Sequence, residues 1–194
     1  MVTSTAALTA AKTSRRPELL TVGTVVWLAS ELMFFSGLFA AYFTLRAQSP
    51  VWPPPGVELD TVAATLATIL LVASSGTMQL GVKAVARGDR TAYMRWLGVT
   101  FALGAVFVLA QARDWARLHF SIGSHAYGSA FYLMTGFHGL HVIGGLLAMM
   151  VMGGRAASRR FGADDLPSAE MLSYYWHFVD IVWIGLWATI FFIR

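Results

Sequence analysis

Five ionisable side chains of this 194-residue sequence stand inside long apolar runs: Glu31, His138, His141, His177 and Asp180. In hydrocarbon a mid-span Asp costs roughly 2.5–3.5 kcal/mol on insertion scales, and Glu should be of the same order. Each such group therefore needs a partner. If the runs are helical, Trp27 and Glu31 share a face at i, i+4, His138 and His141 share one at i, i+3, and Ser173, His177 and Asp180 follow at i, i+4, i+7. Such faces predict a polar seam inside a helix bundle, tied by Glu–His or His–Asp hydrogen bonds that keep the charges paired.

Three chemistries fit a seam of this kind. Two histidines at i, i+3 with a third His, an Asp and a Glu offer enough N and O donors for a metal ion, and bundles do build metal sites this way. A Glu among histidines could instead relay protons across a membrane. As a third reading, the seam is a hydrogen-bonded structural and subunit-contact network. The third is favoured, because nothing in the spacing aims all five side chains at one point. The chain also shows no inverted repeat, and few polar groups lead to either surface.

The elements that must position these residues follow from composition. Hydrophobic residues make up 57% of the chain and charged ones 12%, about half the charged share of an ordinary soluble domain, so the solvent for much of the surface must be lipid. A crossing helix needs about 20 apolar residues, and runs of that kind occupy roughly 20–45, 61–84, 93–114, 127–154 and 170–193. The stretch Pro50-Val-Trp-Pro-Pro-Pro-Gly56 breaks the first run from the second, since proline lacks the backbone donor. Polar turns at Arg87-Gly-Asp-Arg90, Ser121-Ile-Gly-Ser124 and Gly162-Ala-Asp-Asp-Leu-Pro167 make the other breaks. The expected fold is an all-α membrane protein: one five-helix domain over 19–194, preceded by a polar, disordered cytoplasmic tail over 1–18. At a rise of about 1.5 Å per residue, Glu31, His138, His141 and Asp180 fall near the midplane, and His177 somewhat nearer the inner side.

Charge sets the expected orientation. Of the 14 Lys and Arg residues, Lys12, Arg15, Arg16, Lys83, Arg87, Arg90, Arg95, Arg155, Arg159 and Arg160 fall on one side, and Arg46, Arg113, Arg117 and Arg194 on the other. By the positive-inside rule the amino terminus is cytoplasmic and the carboxyl terminus outside. The net charge of +4 does not point to nucleic acid, because the basic residues sit at helix ends and not on a water-facing element. With no cysteine there is no disulfide, no thiolate metal site and no Cys-x-x-Cys-His haem attachment. Small residues at Gly37 and Ala41, in Ala73-Ser-Ser-Gly-Thr77 and at Gly144 and Ala148 suggest ordinary close packing of helices in lipid.

Three segments resemble a known family. The fourth run reads Phe131-Tyr-Leu-Met-Thr-Gly-Phe-His-Gly-Leu-His-Val-Ile-Gly-Gly145, the fifth Tyr174-Tyr-Trp-His-Phe-Val-Asp-Ile-Val-Trp183, and the first Trp27-Leu-Ala-Ser-Glu-Leu-Met-Phe-Phe35. In this order they are similar to the hallmarks of subunit III of haem-copper terminal oxidases, with Glu31 at the position of that family's carbodiimide-reactive intramembrane glutamate. The resemblance runs from about Leu19 onward and matches the last five spans of the seven-span long form, as in short bacterial members.

The resemblance implies a non-redox subunit of an aa3-type cytochrome c oxidase in a bacterial cell membrane. Its expected partners are oxidase subunits I and II and membrane lipids, with room for a larger respiratory supercomplex. No cofactor is expected on this chain; haem a and copper belong to the partner subunits, and bound phospholipid is compatible with the family. The expected roles are support of proton uptake, stability and sustained turnover of the catalytic subunit. Glu31 carries over directly and is expected to be buried and bonded to a histidine of span four, while His138, His141, His177 and Asp180 carry over as motif members. A quinol oxidase subunit is the alternative, although Gly136-Phe-His-Gly, Tyr175-Trp-His-Phe-Val-Asp and Glu31 favour cytochrome c. A small proton-coupled transporter built on Glu31 is a more distant one.

Overall fold

Long stretches without charge satisfy their backbone groups internally, which in lipid leaves the helix as the natural solution. The computed structural model describes residues 19–158 and 161–193; the tail expected over 1–18 lies outside the described residues. Five helices are long and apolar enough to cross a membrane. They are α1 (Leu19–Gln48), α2 (Thr61–Ala86), α3 (Arg90–Arg117), α4 (Ala126–Ala157) and α5 (Leu166–Trp187), the last continued by a π-helical turn over Ala188–Phe192. No strand occurs among the described residues.

The helices run further than the apolar runs alone suggest, and caps explain where they begin. Asp60 and Asp89 each accept a bond from the backbone N–H three residues on, at 2.9 Å, and start α2 and α3. His125 does the same for α4 through Nδ1, which accepts from the Gly128 N–H at 2.8 Å. Pro167 does not hold α5 off until about residue 170. It sits in the first turn of a helix that begins at Leu166, where a missing N–H removes no intrahelical bond. Gly88 closes the α2–α3 turn at φ +72°, a conformation that L side chains resist.

α2, α3, α4 and α5 form the packed body, and α1 lies against α4 and α5 only along one stripe. On α1 the buried positions are Thr24, Phe35 and Tyr42, and with the half-buried Leu28, Glu31 and Leu38 they follow a four-three alternation along a narrow seam, to which the half-buried Thr21, Phe39, Leu45 and Arg46 add. Glu31 occupies one position of that seam. At the centre of the body is Trp176 of α5, fully buried, whose indole N–H donates to Ser74 Oγ at 2.8 Å. Gly104 of α3 and Gly145 of α4 flank its ring so closely that a Cβ on either would lie 2.7 Å from a ring carbon. These are the close approaches that small residues permit here. Gly37 and Gly76 of the small-residue runs face open space, and Ser74 and Thr77 serve as hydrogen-bonding groups, Thr77 meeting Thr100 of α3 at 2.7 Å.

Candidate functional site

The five ionisable residues resolve into three separate places. The first joins α1, α4 and α5. Glu31 Oε2 lies 3.1 Å from His141 Nε2, and Glu31 Oε1 accepts from the Trp27 indole N–H at 3.0 Å. His141 Nδ1 is 2.7 Å from the carbonyl oxygen of Phe137, one turn back on the same helix. Tyr175 of α5 donates its hydroxyl proton to the His141 carbonyl at 2.8 Å and stacks on Trp27 with ring centroids 5.1 Å apart. Phe35 meets the imidazole edge-on at 5.0 Å.

This bonding pattern constrains the protons. A carbonyl oxygen can only accept, so His141 Nδ1 carries hydrogen. The contact between Nε2 and Glu31 then holds one further proton. Either the carboxylic acid donates to Nε2, or an imidazolium N–H donates to the carboxylate. Both arrangements have the same proton count and no net charge, which suits a low-dielectric site. Transfer along the 3.1 Å contact exchanges one form for the other without moving charge in or out of the membrane. The pair is not fully enclosed: 16% of the His141 side chain and 23% of that of Glu31 remain accessible. Glu31 is therefore half-buried, not buried.

The second place lies between α2 and α5. Ser75 Oγ donates to Asp180 Oδ2 in a short hydrogen bond and lies 2.7 Å from His177 Nδ1. Because the hydroxyl proton is committed to Asp180, Ser75 accepts from His177 Nδ1–H. Gln79, one turn along α2, brings Oε1 to 3.4 Å from both His177 Nε2 and Ser173 Oγ. His177 and Asp180 are thus joined through Ser75 and not directly. Asp180 is buried and its Oδ1 has no hydrogen-bond partner among the described residues.

His138 occupies the third place by itself. Three positions turn a helix by about 300°, some 60° short of a full turn, and that offset sends His141 toward α1 and His138 into the body. There it is wholly buried, stacked on Trp183 at 4.7 Å and edge-on to Phe107 at 5.8 Å. Neither ring nitrogen has a hydrogen-bond partner among the described residues. The five donors do not converge, and among the described residues no three His, Cys, Asp or Glu side chains are grouped to hold a metal ion. The arrangement suits paired polar contacts and short-range proton exchange at Glu31 and His141 better than metal binding.

Ser75, Gln79 and the Phe137 carbonyl are partners that the sequence reading did not single out. A serine within a small-residue run carries no mark of a buried hydrogen bond. Gln79 did offer a signal, as an amide inside an apolar helix one turn from Ser75.

Outside the spans, the α4–α5 connection is pinned by a different pair. Asp165 accepts from the Arg155 guanidinium at 2.5 Å and from the Gly162 N–H at 3.1 Å. Those two bonds, the guanidinium first, hold its carboxyl below the usual carboxylate range.

Comparison with known proteins places this geometry in context. The family model described as Cytochrome c oxidase subunit III matches residues 2–194. A protein of Mycobacterium tuberculosis named "Probable cytochrome c oxidase subunit 3" is 52% identical over 183 residues, covering 92% of this chain and 90% of its own length. "Cytochrome c oxidase subunit 3" of Corynebacterium diphtheriae is 45% identical with the same coverage of both chains. "Cytochrome c oxidase subunit 3" of Thermostichus vulcanus is 36% identical over 178 residues, 90% of this chain and 88% of its own.

Proposed function

Because the chain belongs to the cytochrome c oxidase subunit III family, with its model matched over residues 2–194, we propose that it is the non-redox subunit III of an aa3-type oxidase. In this role it supports proton uptake, stability and sustained turnover of the catalytic subunit. Family membership makes it a multi-pass protein of a bacterial cell membrane and part of an oxidase complex. Subunits I and II are its partners and hold haem a and copper. Its amino terminus is cytoplasmic, as the ten-to-four division of Lys and Arg suggests.

The observation that carries this reading is the Glu31–His141 pair. Its two groups share one proton at no net charge, on a seam between α1 and α4 that keeps a partly open edge. Such a pair can take part in proton exchange beside a neighbouring subunit without leaving a bare charge in lipid. It also ties the most weakly packed helix to the body. Cytochrome c is the favoured electron donor over quinol, in keeping with the names of the relatives.

The test is extraction in the mildest detergent followed by purification on a tag at this chain. The expected result is copurification with a haem a spectrum and the larger catalytic subunit, and oxidation of cytochrome c in preference to quinol. Recovery of the chain without any haem-bearing partner would sink the proposal. Within the complex, Glu31→Gln is expected to preserve assembly and the initial rate while changing how long turnover is sustained. Immediate loss of all activity in a normally assembled complex would assign Glu31 an obligatory proton-transfer role instead.

A further inference from the structure

A cavity of about 330 Å³ opens at the membrane face that carries the α1–α2 and α3–α4 connections, between the start of α2, the end of α3, α4 and the end of α5. It lies within the packed body of α2, α3, α4 and α5. Its volume is at the lower end of the range for small-molecule sites.

The walls and mouth of this cavity differ in chemistry. The bore is aromatic, with Phe107, Trp115, Phe131 and Trp183 among its lining. From Phe107 to Arg117 the α3 wall is ten residues long, so the bore descends about 15 Å from the surface into the hydrocarbon level. At the mouth stand three carboxylates, Glu58, Asp60 and Asp114, against one guanidinium, Arg117. His119 is also at the rim. Arg113 and Arg117 act electrostatically on Asp114, yet neither forms an ion pair with it. Among the described residues the ion pairs are Glu31–His141 and Arg155–Asp165. Asp60 Oδ1 is engaged as the cap of α2, while the side chains of Glu58 and Asp114 have no hydrogen-bond partner among the described residues.

We propose that this cavity binds an amphiphile with an ammonium head, its apolar body in the aromatic bore and its cation among Glu58, Asp60 and Asp114. Three acidic groups against two guanidinium groups, Arg117 in the rim and Arg113 acting on Asp114 from beside it, leave the rim with a negative balance that attracts positive charge. Aromatic faces below the rim favour a cation over an anion a second time. The bore excludes a strongly hydrated small ion, since it offers no ring of oxygen ligands beneath the mouth. The ammonium head can come from a membrane aminophospholipid or from a free long-chain amine. Both meet the same groups.

The test uses the intact oxidase complex in nonionic maltoside detergent, which carries no ammonium group, and a dodecylammonium probe with a fluorinated chain end read by fluorine NMR. Saturable binding of one probe per copy of this chain is expected. Dodecyl sulfate of equal chain length should fail to displace it. Glu58→Gln and Asp114→Asn, combined, should weaken the probe roughly tenfold or more, with chain content and haem spectrum of the complex as the check on folding. Glu58→Gln alone, in the exposed α1–α2 connection, should weaken it in the same direction. Added phosphatidylethanolamine that displaces the probe assigns the site to membrane lipid; retention of the probe assigns it to a free amine. Displacement by dodecyl sulfate as effective as by unlabelled dodecylammonium would overturn the proposal. So would unsaturable binding, or an unchanged affinity in the intact double variant.

Discussion

Gly145→Ala tests whether Trp176 is the pivot of the helix body. A methyl group at this position would lie 2.7 Å from both Cε3 and Cζ3 of the indole and 3.2 Å from Cε1 of Tyr175. The ring has nowhere to retreat, because Gly104 presses its opposite edge just as closely and Ser74 holds its N–H at 2.8 Å. Overpacking of this kind costs about 1–3 kcal/mol, occasionally more. Replacing helical glycine by alanine returns at most about 1 kcal/mol of propensity, so steric cost wins and a net loss of about 1–2 kcal/mol is expected. Gly154→Ala is the internal standard, since its added methyl meets nothing within 4 Å and only the propensity gain remains. Both variants would be compared in the purified complex by the temperature at which this chain dissociates. Adding Trp176→Phe to Gly145→Ala should recover part of the loss, because the smaller ring vacates the overlap. If Gly145→Ala dissociates at the same temperature as Gly154→Ala, the clamp does not limit stability and the packing argument fails.

Three other outcomes follow from single contacts. Glu31→Ala leaves the Trp27 N–H and His141 Nε2 without their partner and should loosen α1 by on the order of 1–2 kcal/mol, whereas Glu31→Gln can accept from Trp27 and donate to His141; equal dissociation temperatures for the two would refute the bonding scheme. His125→Ala removes the α4 cap and should cost about 0.5–2 kcal/mol, with His125→Asn retaining most of it, as read by hydrogen exchange over residues 126–130. Asp165 has its folded pKa depressed by Arg155 and Gly162, so its contribution is present above the ordinary carboxylate pKa and is lost as pH falls through the depressed value. The protection factor of the Gly162 amide, its exchange rate relative to the intrinsic rate at the same pH, should therefore fall in that acid range in the wild type and be low and insensitive to it in Asp165→Asn.

The five helices were legible because a crossing segment must exclude charge over its whole length, and few sequences do so by chance. The same physics marked Glu31, His138, His141, His177 and Asp180, since each is costly where it stands. Their partners left much weaker marks. The Phe137 carbonyl belongs to the backbone and is the same in any sequence, and Ser75 looks like one more small residue among Ala73, Ser74 and Gly76. Spacing likewise gave faces but not neighbours: His138 and His141 are one turn apart, yet one is held among rings and the other by a carboxyl group. Gly144 and Ala148 had the spacing of a close helix contact, and a Cβ at Gly144 would lie 3.2 Å from the Tyr175 hydroxyl, but the tightest approaches between helices fall at Gly145 and Gly104, at 2.7 Å. Which glycine matters depends on where Trp176 lies, and that is a property of the packed body.

The weak packing of α1 gives the Glu31–His141 pair a consequence beyond its own two bonds. In lipid a helix gains nothing from hiding apolar surface against another helix, so α1 is held by dispersion along its narrow seam and by hydrogen bonds. The seam contributes few enclosed side chains, chiefly Phe35 and Tyr42. Across it the Glu31 carboxyl contacts His141 of α4 while Trp27 stacks on Tyr175 of α5, so one group of four residues ties α1 to both of its neighbours. A permanently charged residue at this place would bind as well but would need water or a counter-charge at the open edge. A pair that stays neutral in either proton arrangement needs neither, and can be left half-exposed at the boundary where α1 meets lipid or another subunit.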